Sequence, residues 1–317
     1  MSGPGARHGL WAGAVVSGLL ASALLACSGS DDGGSFGAVG AGGTAGLGFS
    51  LDGGNSGGTS GGKGGPWRLP DGFTKGEFGG YKLGDAIDPN DPNPTPPNLG
   101  GPDGGSGCGS TIVGIARDFT PDHPDFQHFC CGEIKNLTEE MLGSDKKPVY
   151  APAGGTAFTS GPDAFRQWYR TTPGVNQPFF VFISLQPNNG VFTFHSSSFF
   201  PLDGKGFGNQ GNPHNYHFTT EIHTSFRYAG GEVFSFTGDD DVFVFINGHR
   251  VIDLGGVHGA VNQRVTLDQV ASNIGIARGN VYDLDLFHAE RHTTESNFRI
   301  DTTLDFVDCG HVVPEPQ

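Results

Sequence analysis

The sequence predicts an all-β fold, an antiparallel β-sandwich carried behind a long flexible leader. Short hydrophobic runs recur beyond Gly109, separated by Gly- and Asn-rich turns. The chain holds 26 Phe, nearly all beyond residue 118, enough to fill the space between two sheets. Helical periodicity is confined to two short stretches, 136–142 and 163–169, the second with Asp163 as its expected N-cap.

The N-terminus reads as an export signal. Arg7 supplies a modest positive start, and Leu10 to Ala26 is apolar but short for a membrane span. Leu24-Leu25-Ala26-Cys27 followed by Ser28 resembles a bacterial lipobox, which implies a lipidated Cys27 and an outer-membrane lipoprotein at the cell surface. An ordinary secretory signal cut nearby is the alternative. Residues 1–26 are thus assigned to the signal peptide and 27–106 to a linker. Its first part is Gly/Ser/Ala-rich; a patch with Trp67, Phe73, Phe78 and Tyr81 follows, then a Pro-rich spacer over 88–98. About 80 residues of such coil reach roughly 50 Å. The globular domain is assigned to 107–310 and a tail to 311–317.

Within the domain, 111–119 alternates weakly, and 179–185 and 191–195 flank a Pro187-Asn188-Asn189-Gly190 turn. From His214 to Tyr228, residues Tyr216, Phe218, Ile222, Phe226 and Tyr228 share one face; His217, Thr219, Glu221, His223, Ser225 and Arg227 share the other. That pattern predicts a long half-buried strand. Val242 to Ile246 and His249 to Leu254 enclose Asn247-Gly248, a type I′ hairpin signal because both residues tolerate positive φ. Runs at 281–288 and 298–306 complete the set.

The net charge of −15 disfavours nucleic acid and anionic bilayer surfaces as partners, leaving the membrane to a lipid anchor alone. Excess carboxylate suits a hard cation instead. Asp239, Asp240 and Asp241 lie together between two hydrophobic runs, where they repel one another unless a cation binds; calcium, which takes six to eight oxygen donors, is the expected cofactor. A solvated acidic turn is the bland alternative. On a strand His288, Glu290 and His292 would share a face and could ligate a transition metal, although a hydrogen-bonded strand end accounts for them equally; the spacing is not His-Glu-x-x-His. No Gly-x-Ser-x-Gly, phosphate loop or dinucleotide fingerprint is present, and the expectation is a non-catalytic chain. Asp253, Asp283 and Asp285 are the residues a glycosidase-type carboxylate pair would draw on. Cys108, Cys130, Cys131 and Cys309 are an even set in an exported chain, so disulfides are expected over zinc. Cys130 and Cys131, being neighbours, are not expected to bond each other, which leaves Cys108 and Cys309 to take one each.

Several stretches together resemble the fibro-slime domain. They are Ile115-Ala116-Arg117-Asp118-Phe119 with His123-Pro124-Asp125-Phe126, Trp168-Tyr169-Arg170, Phe218 to His223, Phe236 to Gly248, Asp253 to His258, Phe287 to His292 and Ser296-Asn297-Phe298. Fibro-slime domains are similar to the protective-antigen (PA-fourteen) sandwich, a jelly-roll or lectin-like fold. The resemblance implies a surface or matrix binding module for polysaccharide, with Asp239 and Asp240 where the flocculin branch places a calcium-chelating pair and Asp241 replacing a small residue. It also draws His258, Glu290, His292 and Asn297 into the ligand-binding set. The competing function is a structural slime or coat component in which calcium only stabilises the fold. Trp168, Tyr169 and Tyr216 are candidates for stacking on sugar rings, with core burial as their alternative.

Overall fold

The computed structural model describes residues 67–97 and 110–314. Its strands are β1 (Thr74–Lys75), β2 (Gly80–Ala86), β3 (Thr111–Asp118) and β4 (Gly132–Ile134), followed by helix α1 (Pro162–Arg166). Next come β5 (Gln177–Ser184), β6 (Gln186–Asn188), β7 (Val191–Ser196), β8 (Phe218–Arg227), β9 (Val233–Gly238) and β10 (Asp241–Ile246). The chain continues with β11 (His249–Val257), β12 (Val261–Thr266), helix α2 (Leu267–Val270), β13 (Val281–Glu290), β14 (Phe298–Thr302) and β15 (Asp305–Phe306).

They form two antiparallel sheets. The larger runs β1-β2-β5-β3-β8-β13-β10-β11-β4, with β15 also paired to β8; the smaller runs β12-β9-β14-β7-β6. Between them lies the main core. Phe194, Phe234, Phe236, Phe298 and Ile300 of the smaller sheet meet Ile222, Phe226, Val242, Val244, Leu284 and Leu286 of the larger. Alternation on β10 and β13 sends Phe243, Phe245, Phe287 and Ala289 to the opposite face, where Phe119, Phe126, Leu137, Phe165, Trp168 and Tyr169 cover them. The larger sheet is therefore buried on both faces around β10 and β13. The Asn247-Gly248 turn forms as expected, with φ of 51° and 76° and Ile246 opposite His249.

Four features depart from expectation. Residues 80–86, placed within the linker, form β2 and pair with β5; Tyr81 enters the main core, so apolar contact rather than composition decides that segment. The 136–142 stretch is not helical. Asn136 has φ of 59°, and the chain runs extended, with Glu139 N donating to Val149 O and Arg250 N to Glu140 O. Helix α1 starts at Pro162 behind Gly161, so Asp163 lies in its first turn rather than capping it. Strand β8 is buried on both faces, not one, because the 119–176 segment lies over its polar side.

Under that cover Glu221 accepts from Arg117 Nη1 at 2.6 Å and from Lys147 Nζ, while His223 bridges Glu221 and Asp285 at 2.5 and 2.6 Å. Arg117, Lys147 and Glu221 have at most 1% of their side chains exposed. Burial alone would raise the Glu221 carboxyl, but Lys147 and Arg117 hold it well below the usual carboxylate range.

Candidate functional site

Three connections pass from the larger sheet to the smaller, or back, at one end of the sandwich: Asp239-Asp240 between β9 and β10, 258–260 between β11 and β12, and 291–297 between β13 and β14. They converge on a cleft lined by Asp239, Asp240, Val257, His258, Glu290 and His292, with Thr293 to Glu295 on its rim. Its free space of about 20 Å³ suits one water-sized body.

The register explains the convergence. Gly238 pairs with both Val261 and Phe298, and Asp241 pairs with Ala289, so two residues span from sheet to sheet. Asp240 takes φ of 48°, a conformation Asp tolerates better than most side chains. Its Oδ1 accepts from His258 N at 3.1 Å and its Oδ2 from Arg291 N at 2.8 Å. Asp239 Oδ2 accepts from Asn297 N and Nδ2 at 2.9 and 3.0 Å. Asp239 Oδ1 is buried with no hydrogen bond, and neither carboxylate oxygen of the fully buried Glu290 has one. Burial pushes the Asp239 carboxyl up to about 7, against the pull of Asn297, and the Asp240 carboxyl up to about 6, against Arg291. Glu290 is raised well above its ordinary value by burial and by the charges of Asp240 and Asp239.

Asp241 departs from the expected trio. Its Oδ2 accepts from Arg291 Nε at 2.6 Å and its Oδ1 from Gly256 N at 2.8 Å, on the face turned away from the cleft. Strand alternation is the reason: Asp241 lies in line with Phe243 and Phe245, under the covering segment. A Cβ at Gly256 would collide with the Gly132 carbonyl, so only glycine lets β4 approach closely here. Arg291, buried over the Trp168 ring at 4.6 Å, also donates Nη1 to the carbonyls of Asp125 and Phe158, both at 2.9 Å.

The remaining predicted residues separate into two groups. His258 and His292 line the cleft; Asn297 holds Asp239. His288 does not join His292: β13 ends at Glu290, so the alternation stops there, and the His288 ring packs among Phe199, Phe218, Phe236 and Phe298. Burial pushes its imidazole down to about 3. Trp168 and Tyr169 are fully buried and Tyr216 is 4% exposed, so these rings are core. Asp253 accepts from Asn136 N at 2.8 Å, Asp283 from Lys146 at 3.2 Å, and Asp285 is hydrogen-bonded to His223 at 2.6 Å; none of the three lines the cleft. Sequence reasoning missed Arg291 as the partner of Asp241, although it lay in view as a lone cation within the His-Ala-Glu-Arg-His run.

Cys130, Cys131 and Cys309 are all disulfide-bonded, so no cysteine among the described residues is free. Cys27 and Cys108 lie outside the described residues.

Among the described residues no group of three or more His, Cys, Asp or Glu side chains is placed to hold a metal ion. The cleft nevertheless gathers hard oxygen donors. It presents carboxylates of Asp239, Asp240 and Glu290, three of whose oxygens are buried without partners. The raised acids set a pH dependence. In metal-free protein the folded state binds the Asp239 proton up to about pH 7, whereas the unfolded chain releases it near pH 4. That contribution to stability is complete below about pH 4 and is lost as pH rises toward 7. Chelated parent protein is therefore expected to lose on the order of a few kcal/mol from this group between pH 4.5 and 8 in urea titrations. Asp239→Asn should show a correspondingly flatter profile.

Residues 208–317 match the family model of the PA14 domain, a span that takes in β8 to β15 and all three converging connections. Protein psiR of Dictyostelium discoideum is 39% identical over 211 residues, covering 61% of this chain and 21% of its own length. Protein psiC of the same organism is 39% identical over 188 residues, 54% of this chain and 36% of its own. The chain thus corresponds to only a fifth to about a third of these relatives. Among solved structures, a PA14 sugar-binding domain from an RTX adhesin covers 65% of this chain and 99% of its own, at 10% identity and a TM-score of 0.28.

Proposed function

We propose that this chain is a non-catalytic surface or matrix binding module that recognises polysaccharide through a calcium ion held at the sheet-to-sheet cleft. The observation that carries the reading is the set of unsatisfied buried oxygens, Asp239 Oδ1 and both of Glu290, in a cleft whose rim is open and polar. Buried carboxylates without partners are costly, and a divalent ion removes that cost. Asp239, Asp240 and Glu290 would hold it; calcium supplies open coordination positions for paired sugar hydroxyls. Asn297 and the Arg291 backbone amide keep the two aspartates in place, and Thr293 to Glu295 offer further polar contacts. The PA14 match over 208–317 and the fibro-slime resemblance support the same reading. We also propose export and anchoring through lipidated Cys27, with the leader carrying the domain off an outer membrane.

The full burial of Glu290 favours a second reading, in which the ion stabilises the sandwich without meeting ligand, as in a slime or coat component. Passage of the chain over cellulose and matrix polysaccharide, with calcium and then with chelator, separates the two. Retention released by chelator is expected. Calcium-dependent stability with no retention on any glycan would establish the structural role instead.

A further inference from the structure

The calcium reading leaves an aromatic stack on the neighbouring surface without a role. His214 lies flat on Phe200, with ring centroids 4.1 Å apart and planes within 5°. Tyr216 meets Phe200 edge-on at 5.1 Å and His214 at 6.1 Å. Phe200 and Tyr216 are buried, whereas 43% of the His214 side chain is exposed. Phe200 covers one face of the imidazole, and Asp203 Oδ2 holds its Nδ1 at 2.6 Å, so the exposed part is the other face and the Nε2 edge. Asp203 is fixed in turn, its Oδ1 accepting from Asn215 N at 2.7 Å. A surface ring held by three neighbours has little rotamer freedom left to lose on binding.

Both arms of this stack are tied to the cleft. Phe199 donates its N to Ser296 O at 2.9 Å and accepts from Ser296 Oγ at 2.8 Å, within the connection that carries Glu295 and Asn297. On the other arm His217 Nε2 is hydrogen-bonded to Gln127 Oε1 at 3.0 Å, and Gln127 Nε2 donates to Thr293 Oγ1 on the rim at 3.2 Å. Tyr216 stands within reach of both sites: burial, then the charges of Glu290 and Asp203, raise its hydroxyl above the ordinary value.

A pyranose ring carries hydroxyls at its edges and C–H groups on its faces, so a sugar site gains from a flat apolar surface as well as hydroxyl ligands. Trp168, Tyr169 and Tyr216, the rings expected to supply that surface, are buried. We propose that the outward face of His214, backed by Phe200, is a second subsite on which one pyranose ring of an oligosaccharide stacks while a neighbouring ring meets the acid cleft. The Nε2 edge is then placed to bond a hydroxyl of the stacked ring. This rests on the glycan-binding reading above and adds to it the residue that supplies the stacking surface.

The test titrates cellohexaose, laminarihexaose and mannohexaose into the full-length chain with calcium, beside His214→Ala and His214→Tyr. Thermal unfolding checks that each variant keeps the calcium response of the parent. Loss of one stacking contact is expected to weaken whichever oligosaccharide the parent binds by roughly three- to tenfold in His214→Ala. His214→Tyr keeps a flat ring and should stay nearer the parent. A folded, calcium-responsive His214→Ala that binds like the parent overturns the subsite and leaves the glycan-binding reading standing. A parent that takes up calcium but binds none of these sugars, nor the polysaccharides above, overturns that reading and the subsite with it. If His214→Ala fails to fold, NMR on the parent decides: nuclear Overhauser contacts between the His214 ring protons and sugar C–H protons support the subsite, and their absence overturns it.

Discussion

Replacing Glu221 by Gln destabilises the domain by about 3–5 kcal/mol, the cost expected when one member of a buried ion pair is removed and its partners stay charged. Glu221 carries three such partners, Arg117, Lys147 and His223, and at 1% exposure no water is available to replace it. Since a domain's whole stability is about 5–15 kcal/mol, the variant is expected to be marginal at 37 °C. Urea unfolding at neutral pH measures the change. A loss below about 1 kcal/mol would mean the network is solvated, and the two-sided burial of β8 would then be in question. His223 adds a pH signature. Burial alone lowers its pKa, but the hydrogen bonds to Asp285 and Glu221 outweigh that and leave it raised. Its contribution is therefore present at low pH and is lost as pH rises through the folded value.

Arg291→Met removes a buried cation from a second ion pair and is expected to cost a similar 3–5 kcal/mol. Asp241 would stay fully buried with only the Gly256 amide, and the Asp125 and Phe158 carbonyls would lose their donor. The same guanidinium opposes the burial that raises Asp240, so its loss should also weaken calcium uptake at neutral pH. A double-mutant cycle apportions the effect. Asp241→Leu with Arg291→Met replaces both charges by apolar groups and should recover much of the lost stability, because the burial penalty then disappears with the pair. Strict additivity of the two substitutions would contradict a direct Arg291–Asp241 bond.

The parts of the fold legible in the sequence are those with strong local signals. The period-2 run at Phe218 to Arg227 and the Asn247-Gly248 hairpin fall where expected. Strand β2 was hidden because Gly80-Tyr81-Lys82-Leu83-Gly84-Asp85-Ala86 has weak alternation, and its pairing with β5 spans about a hundred residues of chain. The polar face of β8 read as solvated because its cations, Arg117 and Lys147, are 104 and 74 residues away in sequence. At the site, the aspartate run was visible, but alternation into β10 decides that Asp241 faces the opposite side from Asp239 and Asp240. Glu290 stood in the expected ligand-binding set, and the convergence of 239–240, 258–260 and 291–297 brings it to the same cleft as Asp239 and Asp240.

Calorimetric titration of calcium into the chelator-treated full-length chain, beside Asp239→Asn and Glu290→Gln, tests the cation assignment most directly. Saturable single-site binding is expected for the parent, weaker by about tenfold or more in each variant, together with a calcium-dependent rise in unfolding temperature. A parent that takes up no calcium at millimolar concentration, or variants that bind it as the parent does, would contradict the assignment.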